Sequence, residues 1–493
     1  MNADLSFNII NHTTVQLQCE SWLVRELDEK FTFFVDGYKF MPKYKMGIWD
    51  GKIRLIDTKF NTTLVGLIPD ILVYCKEQGY SVELTHAVKS LFTSDFSDAD
   101  CHEYIEKCNL PFEPRDYQFE AVRSAIRNKR LAILSATGSG KSLIIYLIAR
   151  YMAECGLKTL LIVPTVSLVN QMHSDFTTYA ENSPFDVDAN CHKIFSGQDK
   201  ETDKPIVIST WQSLQKLPEK YFQQYDAVIG DEVHQYDAAV CSRILRCCTN
   251  ASVRIGLTGT LDDSKVSELQ IKGLFGSVRQ FTSTRELMDQ NVLADLHIRA
   301  VVLRHDPAFF KNIDKTKYHD EISYIVENKA RNHFLAKLNN KTVGNTLILF
   351  NFVEKQGKPL YEILQRECPD REVYLVYGGT DADMREHVRK LVETKRNITI
   401  LASYGVFSTG VNAVNLDNVI FASPTKSKIR VLQSLGRGLR RGADKDFCTL
   451  FDIADDLTGG TKNKNHTLKH FHKRFEIYQT QGFDVSIHVV DLK

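Results

Sequence analysis

The 493-residue sequence has no uninterrupted apolar run of about 18 residues, which argues against a transmembrane helix. Its start, "MNADLSFNIINHTTVQ", carries Asp4 and no basic region ahead of an apolar one, so no secretory signal is expected. The eleven cysteines contain no Cys-x-x-Cys pair. Cys101 and Cys108 lie near His102, but their spacing is not that of a zinc knuckle. Reduced thiols in a cytoplasmic protein are the expectation. An excess of charge is also missing. Lys+Arg 62 against Asp+Glu 61 leaves a formal net charge of +1, so any affinity for nucleic acid must come from local patches. No short-period repeat is present, and no Pro-Asp…Glu-x-Lys nuclease signature is evident.

With 43% hydrophobic and 25% charged residues, the chain reads as soluble, globular and rich in core. Its length gives room for about three or four domains. Residues 1–92 alternate short apolar runs with turn signals, which predicts a small α+β domain of hairpins and a helix or two. The polar "TSDFSDAD" opens a linker expected over 93–111. Beyond it, "RLAILSA", "TLLIVPT", "PIVIST", "DAVIGDE" and "RIGLTGT" recur between turns and helical stretches. That rhythm predicts a parallel sheet with crossover helices over 112–285. A second series, "NTLILF", "EVYLVYGG", "ITILASY", "NVIFASP" and "FCTLFDI", predicts another over 286–456. Residues 457–493 read as a basic, helical C-terminal tail, since "TKNKNHTLKHFHKRF" holds five Lys/Arg, three His and no acid.

Chemistry concentrates in the first series. "ATGSGKS" (136–142) sets a glycine-rich loop between an apolar strand and an amphipathic helix. Thr137, Gly138, Ser139 and Gly140 form a backbone cradle for phosphate at the positive end of that helix. Lys141 supplies a cation for the β/γ-phosphates, and the Ser142 hydroxyl is placed to ligate Mg²⁺. Ser135 stands where the usual pattern has its first glycine. "AVIGDEVH" (227–234) ends a strand in Asp231, expected to hold Mg²⁺, and Glu232, expected to take a proton from the attacking water.

"PRDYQ" (114–118), "ATGSGKS", "IVPTVSLVNQ", "ISTWQSL", "DEVH" and "LTGT" stand in the order of the superfamily 2 helicases. "LILFN", "VYGG…R", "ASYGVFSTGVN" and "QSLGRGLRR" continue that order. The chain resembles this superfamily over about residues 112–455. With "FVDGYKFMPKYKMGIWDGKIRLID" ahead of them, it resembles the UvsW-type recombination helicases of T-even-like bacteriophages.

The resemblance implies two tandem RecA-like parallel-sheet domains behind the small α+β domain. It implies that Gln118 reads adenine, and that Thr258 and Thr260 link the nucleotide site to strand movement. It implies that Gln433, Arg437 and Arg440 reach the γ-phosphate as an arginine finger, with residues three apart sharing one helix face. Thr409 and Gly410 match a strip lining nucleotide and nucleic acid, whereas Asn412 stands where relatives often have an acid. Val163, Pro164 and Thr165, with Thr210, Trp211 and Gln212, match a strand-binding side aimed at backbone phosphates. Trp211 fits a core position equally well.

The implied activity is ATP- and Mg²⁺-dependent unwinding and branch migration of branched duplex and single-stranded DNA, by a monomer in the cytoplasm, the host's if the chain is of phage origin. RNA–DNA hybrids stay open as substrates, and a recombinase or single-strand-binding protein stays open as a partner. In "KFMPKYKMGIWDGKIRL" (39–55), Lys43, Lys45, Lys52 and Arg54 are candidates for phosphates, and Tyr44 and Trp49 for stacking on an exposed base. Asp50-Gly51 reads as a hairpin turn with Trp49 and Lys52 at its tip. The bland alternative is a half-buried hairpin with solubilising lysines. Two other classes compete: a duplex translocase in a restriction or remodelling assembly, and a non-catalytic scaffold. Intact Lys141, Asp231, Glu232, Arg437 and Arg440 oppose the scaffold.

Overall fold

The computed structural model describes residues 3–35, 37–195, 197–235, 238–261, 265–310, 317–409, 415–424, 447–461 and 463–492. The chain divides into two compact units, Met1–Ser135 with Gly140–Thr282, and Ala136–Ser139 with Ser283–Lys493.

The N-terminal region carries β1 (Leu5–Ile9), β2 (Thr14–Cys19), β3 (Thr32–Phe34), β4 (Lys52–Arg54), β5 (Ile56–Asp57), β6 (Thr62–Leu64) and β7 (Val82–Glu83). Five of these form a mixed sheet, β5-β6-β2-β1-β7, and β3 and β4 form a separate ribbon. The register Leu5↔Cys19 to Ile9↔Val15 turns Leu5, Phe7, Val15 and Leu17 inward on alternate positions. Helices Ser21–Lys30 and Ile68–Gln78 cover this face through Leu23, Leu27, Ile68 and Ile71.

This core does not close on itself. One apolar cluster runs from Leu5 and Phe7 through Leu64 and Leu67 to Leu160 and Val207 of the next sheet and Phe275 of helix Lys265–Phe275. Polar contacts follow the same seam. The Lys272 ammonium lies 3.0 Å from Asp70, and the Arg254 guanidinium donates to Thr13 Oγ1 at 2.6 Å. The small α+β region and the first parallel sheet therefore share one core.

That sheet comprises β8 (Arg130–Ser135), β9 (Thr159–Val163), β10 (Cys191–Ile194), β11 (Ile206–Thr210), β12 (Ala227–Gly230), β13 (Val253–Thr258) and β14 (Val278–Thr282). Its order is β10-β11-β9-β12-β13-β8-β14, every pair parallel. Strands β9, β11, β12 and β13 are buried at every position, which is why they read as unbroken apolar runs.

The second unit holds a parallel sheet of β15 (Asp295–His305), β16 (Thr346–Phe350), β17 (Glu372–Val376), β18 (Ile398–Ser403), β19 (Asn418–Phe421), β20 (Phe447–Asp456) and β21 (Val485–Leu492). Its order is β17-β18-β16-β19-β20-β15-β21. Two tandem RecA-like sheets behind a small α+β domain are thus observed.

Three local expectations are corrected. Residues 93–111 are not a bare linker. Ser97 and Asp100 close a capping box on helix Asp98–Cys108, and Cys101, Tyr104 and Cys108 enter the first sheet's core. There burial pushes the Cys101 thiol up to about 12. Residues 457–493 are more than a basic helical tail. The basic stretch is helical over His466–Thr480, but Arg474 is buried against Asp452 at 2.7 Å and the chain continues into edge strand β21. The N-terminus of that helix is held by buried Glu321, whose Oε1 accepts from the Thr467 N–H at 2.6 Å and whose Oε2 accepts from the His466 N–H at 2.9 Å. Finally, Asp50-Gly51 is not the tip of a hairpin. Phe34 pairs with Lys52, so the excursion between the strands is residues 35–51, with helix Pro42–Lys45 inside it.

Candidate active site and strand-binding groove

The C-terminal ends of β8, β12 and β13 carry the chemical residues, as parallel sheets dictate for their ligands. β8 ends at Ser135 and leads through the glycine loop into helix Lys141–Glu154. Gly138 and Gly140 adopt φ of +89° and +77°, left-handed backbone that turns amides toward a bound anion. A Cβ on Gly140 would lie 2.4 Å from Gln118 Nε2, so the glutamine packs directly on the loop. Gln118 Oε1 also accepts from the Arg115 N–H at 2.9 Å, which fixes it in the first turn of helix Asp116–Asn128.

Lys141 Nζ lies 3.6 Å from Glu232 Oε1 and donates to the Ser135 carbonyl at 3.3 Å. The loop cation and the second carboxylate of "DEVH" therefore face each other. Ser142 Oγ shares a 2.7 Å hydrogen bond with the Tyr179 hydroxyl, a partner that sequence spacing did not indicate. Tyr179 is held in turn against Tyr146 and Phe112, at ring distances of 5.6 and 5.8 Å.

Asp231 is buried where β12 ends, and its N–H donates to the Ile162 carbonyl at 2.9 Å. Burial pushes its carboxyl well above the ordinary range; neighbouring Glu232 adds to this and the Lys141 ammonium opposes it. Glu232 adopts φ +49°, a left-handed conformation that costs a non-glycine residue about 1–2 kcal/mol. The strained turn points one carboxylate oxygen at Lys141 and leaves the other 3.4 Å from His234 Nδ1.

His234 Nδ1 also lies 2.5 Å from Thr258 Oγ1, whose hydroxyl donates to the Thr260 carbonyl at 2.7 Å. Lys141, Glu232, His234, Thr258 and Thr260 thus form one continuous polar chain along the sheet edge. His234 is the member that sequence comparison left without a role.

On the other side of the same edge, Pro164, Thr165 and Thr210 line a groove of about 590 Å³ with Lys200 and Lys216. The Thr165 and Thr210 hydroxyls cap the helices that follow β9 and β11, accepting from Leu168 and Ser213 N–H groups, both at 3.3 Å. Gln212 Nε2 donates to the Pro164 carbonyl at 3.3 Å, bridging the two turns. Trp211 is not among the groove's lining residues; it is half-buried and packs against the apolar core of this unit.

In the 35–51 excursion the aromatic expectation changes. Tyr44 is half-buried edge-on to Tyr38 at 4.8 Å, and the Trp49 N–H donates to the Lys52 carbonyl at 2.8 Å. Arg54 pairs with Asp50 at 2.5 Å, and Lys52 lies over the Phe34 ring at 5.0 Å. These four residues build the scaffold, while Lys43 and Lys45 are exposed. Gly410, Asn412, Gln433, Arg437 and Arg440 lie outside the described residues. All eleven cysteines are free thiols, and among the described residues no helix is long and apolar enough to cross a membrane.

Comparison with known proteins matches this arrangement along the whole chain. Residues 4–85 fit the family model "DNA helicase UvsW, N-terminal", 111–263 fit "Type III restriction enzyme, res subunit", and 329–442 fit "Helicase conserved C-terminal domain". The ATP-dependent DNA helicase uvsW of Enterobacteria phage T4 is 34% identical, with 100% of both chains covered. The DNA 3'-5' translocase XPB2 of Sulfurisphaera tokodaii is 24% identical over 68% of this chain and 81% of its own. The crystal structure of T4 UvsW superposes with a TM-score of 0.52 at 32% identity, covering 99% of this chain and 100% of that one. The chain belongs to the UvsW family of ATP-dependent DNA helicases, within superfamily 2.

Proposed function

We propose that this helicase unwinds and branch-migrates branched DNA (forks, four-way junctions and R-loops) in recombination, repair and the processing of replication forks. The observation that carries the reading is the end-to-end similarity to T4 UvsW, including an N-terminal domain with its own family model. A motor core alone would match many unrelated translocases.

In this reading Gln118 selects adenine, and Thr137, Gly138, Ser139, Gly140 and Lys141 hold the triphosphate. The Ser142 hydroxyl and Asp231 carboxylate, both hard oxygen donors, fit Mg²⁺, which neutralises charge on the phosphates when bound. The buried Asp231 carboxyl supports this fit, because a divalent cation offsets the burial that otherwise favours its protonated form. Glu232 takes the proton of the attacking water. Arg437 and Arg440, with Gln433, are assigned by the family resemblance to stabilising the transferring phosphoryl group, and Gly410 to nucleotide binding. The groove of Pro164, Thr165 and Thr210 follows one strand's phosphates, and Lys43 and Lys45 reach the duplex. A monomer working in the host cytoplasm, alongside a recombinase or single-strand-binding protein, accords with these roles.

The match of residues 111–263 to the restriction-subunit model favours a second reading, translocation along duplex without strand separation. One experiment separates the two. ATP turnover and strand displacement are measured together on linear duplex, forks, four-way junctions and RNA–DNA hybrids. Strand separation confined to branched substrates supports the first reading; turnover on linear duplex with no separated strands on any substrate supports the second.

A further inference from the structure

The excursion 35–51 is built, not loose. Phe34 and Tyr38 stack at 4.7 Å, and Tyr38 meets Tyr44 edge-on at 4.8 Å. Gly51, at φ +82°, passes so near Tyr38 that a Cβ there would lie 2.2 Å from the ring. Helix Pro42–Lys45 ends with the Gly47 N–H donating to the Tyr44 carbonyl at 2.9 Å and the Ile48 N–H donating to the Lys43 carbonyl at 3.0 Å. With Gly47 at φ +69°, this is a Schellman closure.

In such a closure the residue at Ile48's position ordinarily packs back on the helix. Here Ile48 is 71% exposed, Met46 63% and Phe40 80%. A helix of four residues is about 6 Å long, so Phe40 ahead of it and Met46 and Ile48 after it stand close along the backbone of one short excursion. Lys39, Lys43 and Lys45 alternate with them in the same stretch, exposed and without a carboxylate partner among the described residues. Large apolar side chains exposed together on a fixed scaffold mark a contact surface.

We infer that this excursion is a wedge: Phe40, Met46 and Ile48 cap the last base pair at a DNA branch, while Lys39, Lys43 and Lys45 hold the flanking phosphates. The inference rests on the branched-DNA reading above. The end of a duplex offers a flat apolar face framed by anions, which is the complement of these side chains. Apolar side chains set against parted bases are an established way to keep strands separated. The wedge also stands on a domain that shares its core with the first motor sheet, so movement of that sheet is delivered to it.

The test compares the full-length chain with F40A/M46A/I48A and with K43A/K45A, placing 2-aminopurine at the branch of a fork. The triple variant is expected to unwind forks about tenfold more slowly, the order of one lost base contact. It should also lose the 2-aminopurine response while keeping its ATP turnover on single-stranded circles. The double lysine variant is expected to bind forks more weakly, with a shallower salt dependence. Unwinding by the triple variant at the wild-type rate overturns the wedge alone. A wild-type chain that consumes ATP on DNA yet leaves forks intact overturns the branched-DNA reading, and the wedge with it. Flotation with phosphatidylglycerol vesicles, lost in the triple variant while unwinding persists, assigns the excursion to a membrane surface and likewise overturns the wedge.

Discussion

His234 Nδ1 and Thr258 Oγ1 stand 2.5 Å apart, joining the turn after β12 to the end of β13. The Thr258 hydroxyl gives its one proton to the Thr260 carbonyl at 2.7 Å, so the imidazole is the donor and its proton sits on Nδ1. Glu232 reaches the same turn, its Oε2 accepting from the Gly259 N–H at 3.5 Å and lying 3.4 Å from His234 Nδ1. A bond of this kind contributes about 1 kcal/mol, about fivefold in a rate. His234→Ala and Thr258→Ala should lower fork unwinding by at least that factor while sparing most ATP hydrolysis. The ratio of strands separated to ATP consumed is the measurement; an unchanged ratio in both variants refutes the coupling.

Lys141 and Glu232 face each other at 3.6 Å, and the roles proposed for them predict different defects. Lys141→Ala should abolish turnover and weaken nucleotide binding. Glu232→Gln should lower turnover by about 10²–10⁴, the span of a lost general base, with binding retained. Fluorescent-nucleotide titration beside steady-state turnover separates the two effects.

The Ser142–Tyr179 hydrogen bond makes a subtler prediction. A serine oxygen that gives a lone pair to a cation turns its proton away, and the Tyr179 oxygen is there to accept it. Tyr179→Phe removes that acceptor. The Mg²⁺ concentration for half-maximal turnover should rise severalfold, about 1 kcal/mol, with turnover at saturating Mg²⁺ near wild type. An unaltered Mg²⁺ titration contradicts this role.

In the second unit, Asp455 is buried with Arg331 at 2.8 Å and His305 at 2.9 Å. Burial alone would raise its carboxyl, but Arg331 and His305 outweigh it and hold the group at about 2. A depressed carboxylate contributes stability above its unfolded value near 4, and that stability is lost as pH falls from about 4 toward 2. The contribution is about 2 kcal/mol. Trp22, Trp49 and Trp211 all lie in the first unit, so hydrogen exchange along β15 and β20 is the suitable probe. Asp455→Asn should flatten that acid response and destabilise the unit by about 3–5 kcal/mol, since Arg331 stays buried without its counter-charge.

Legibility in the sequence followed burial. All ten apolar runs read as strands are strands of the two parallel sheets, because sheets covered on both faces demand unbroken apolar segments. The strands missed were β10, β14, β15 and β21. β10 and β14 are short edge strands, and "DLHIRAVVLRH" and "VSIHVVDL" mix charge with apolar residues. "TLKHFHKRF" read correctly as helical but only as a basic tail, because nothing local reveals that Asp452 lies on β20 to receive Arg474. At the site, motif spacing singled out Lys141, Asp231 and Glu232 and the family resemblance Gln118, and the fold brings Lys141 to Glu232 and Gln118 to the glycine loop. Tyr179 was not singled out, being 37 residues from Ser142 and joined to it only by the fold. In the excursion the aromatics named from the sequence, Tyr44 and Trp49, make contacts within the segment itself. Tyr44 and Trp49 hold its shape, and exposed Phe40, Met46 and Ile48 resemble core residues until the chain is folded.

The central claim is that ATP hydrolysis at Lys141 and Glu232 drives the remodelling of branched DNA. Its most direct test follows a labelled four-way junction with the purified chain, ATP and Mg²⁺, beside Lys141→Ala. The account predicts migrated or separated products that require ATP and vanish in the variant. A wild-type chain that hydrolyses ATP on DNA but leaves every junction unresolved, or products that persist in Lys141→Ala, would contradict it.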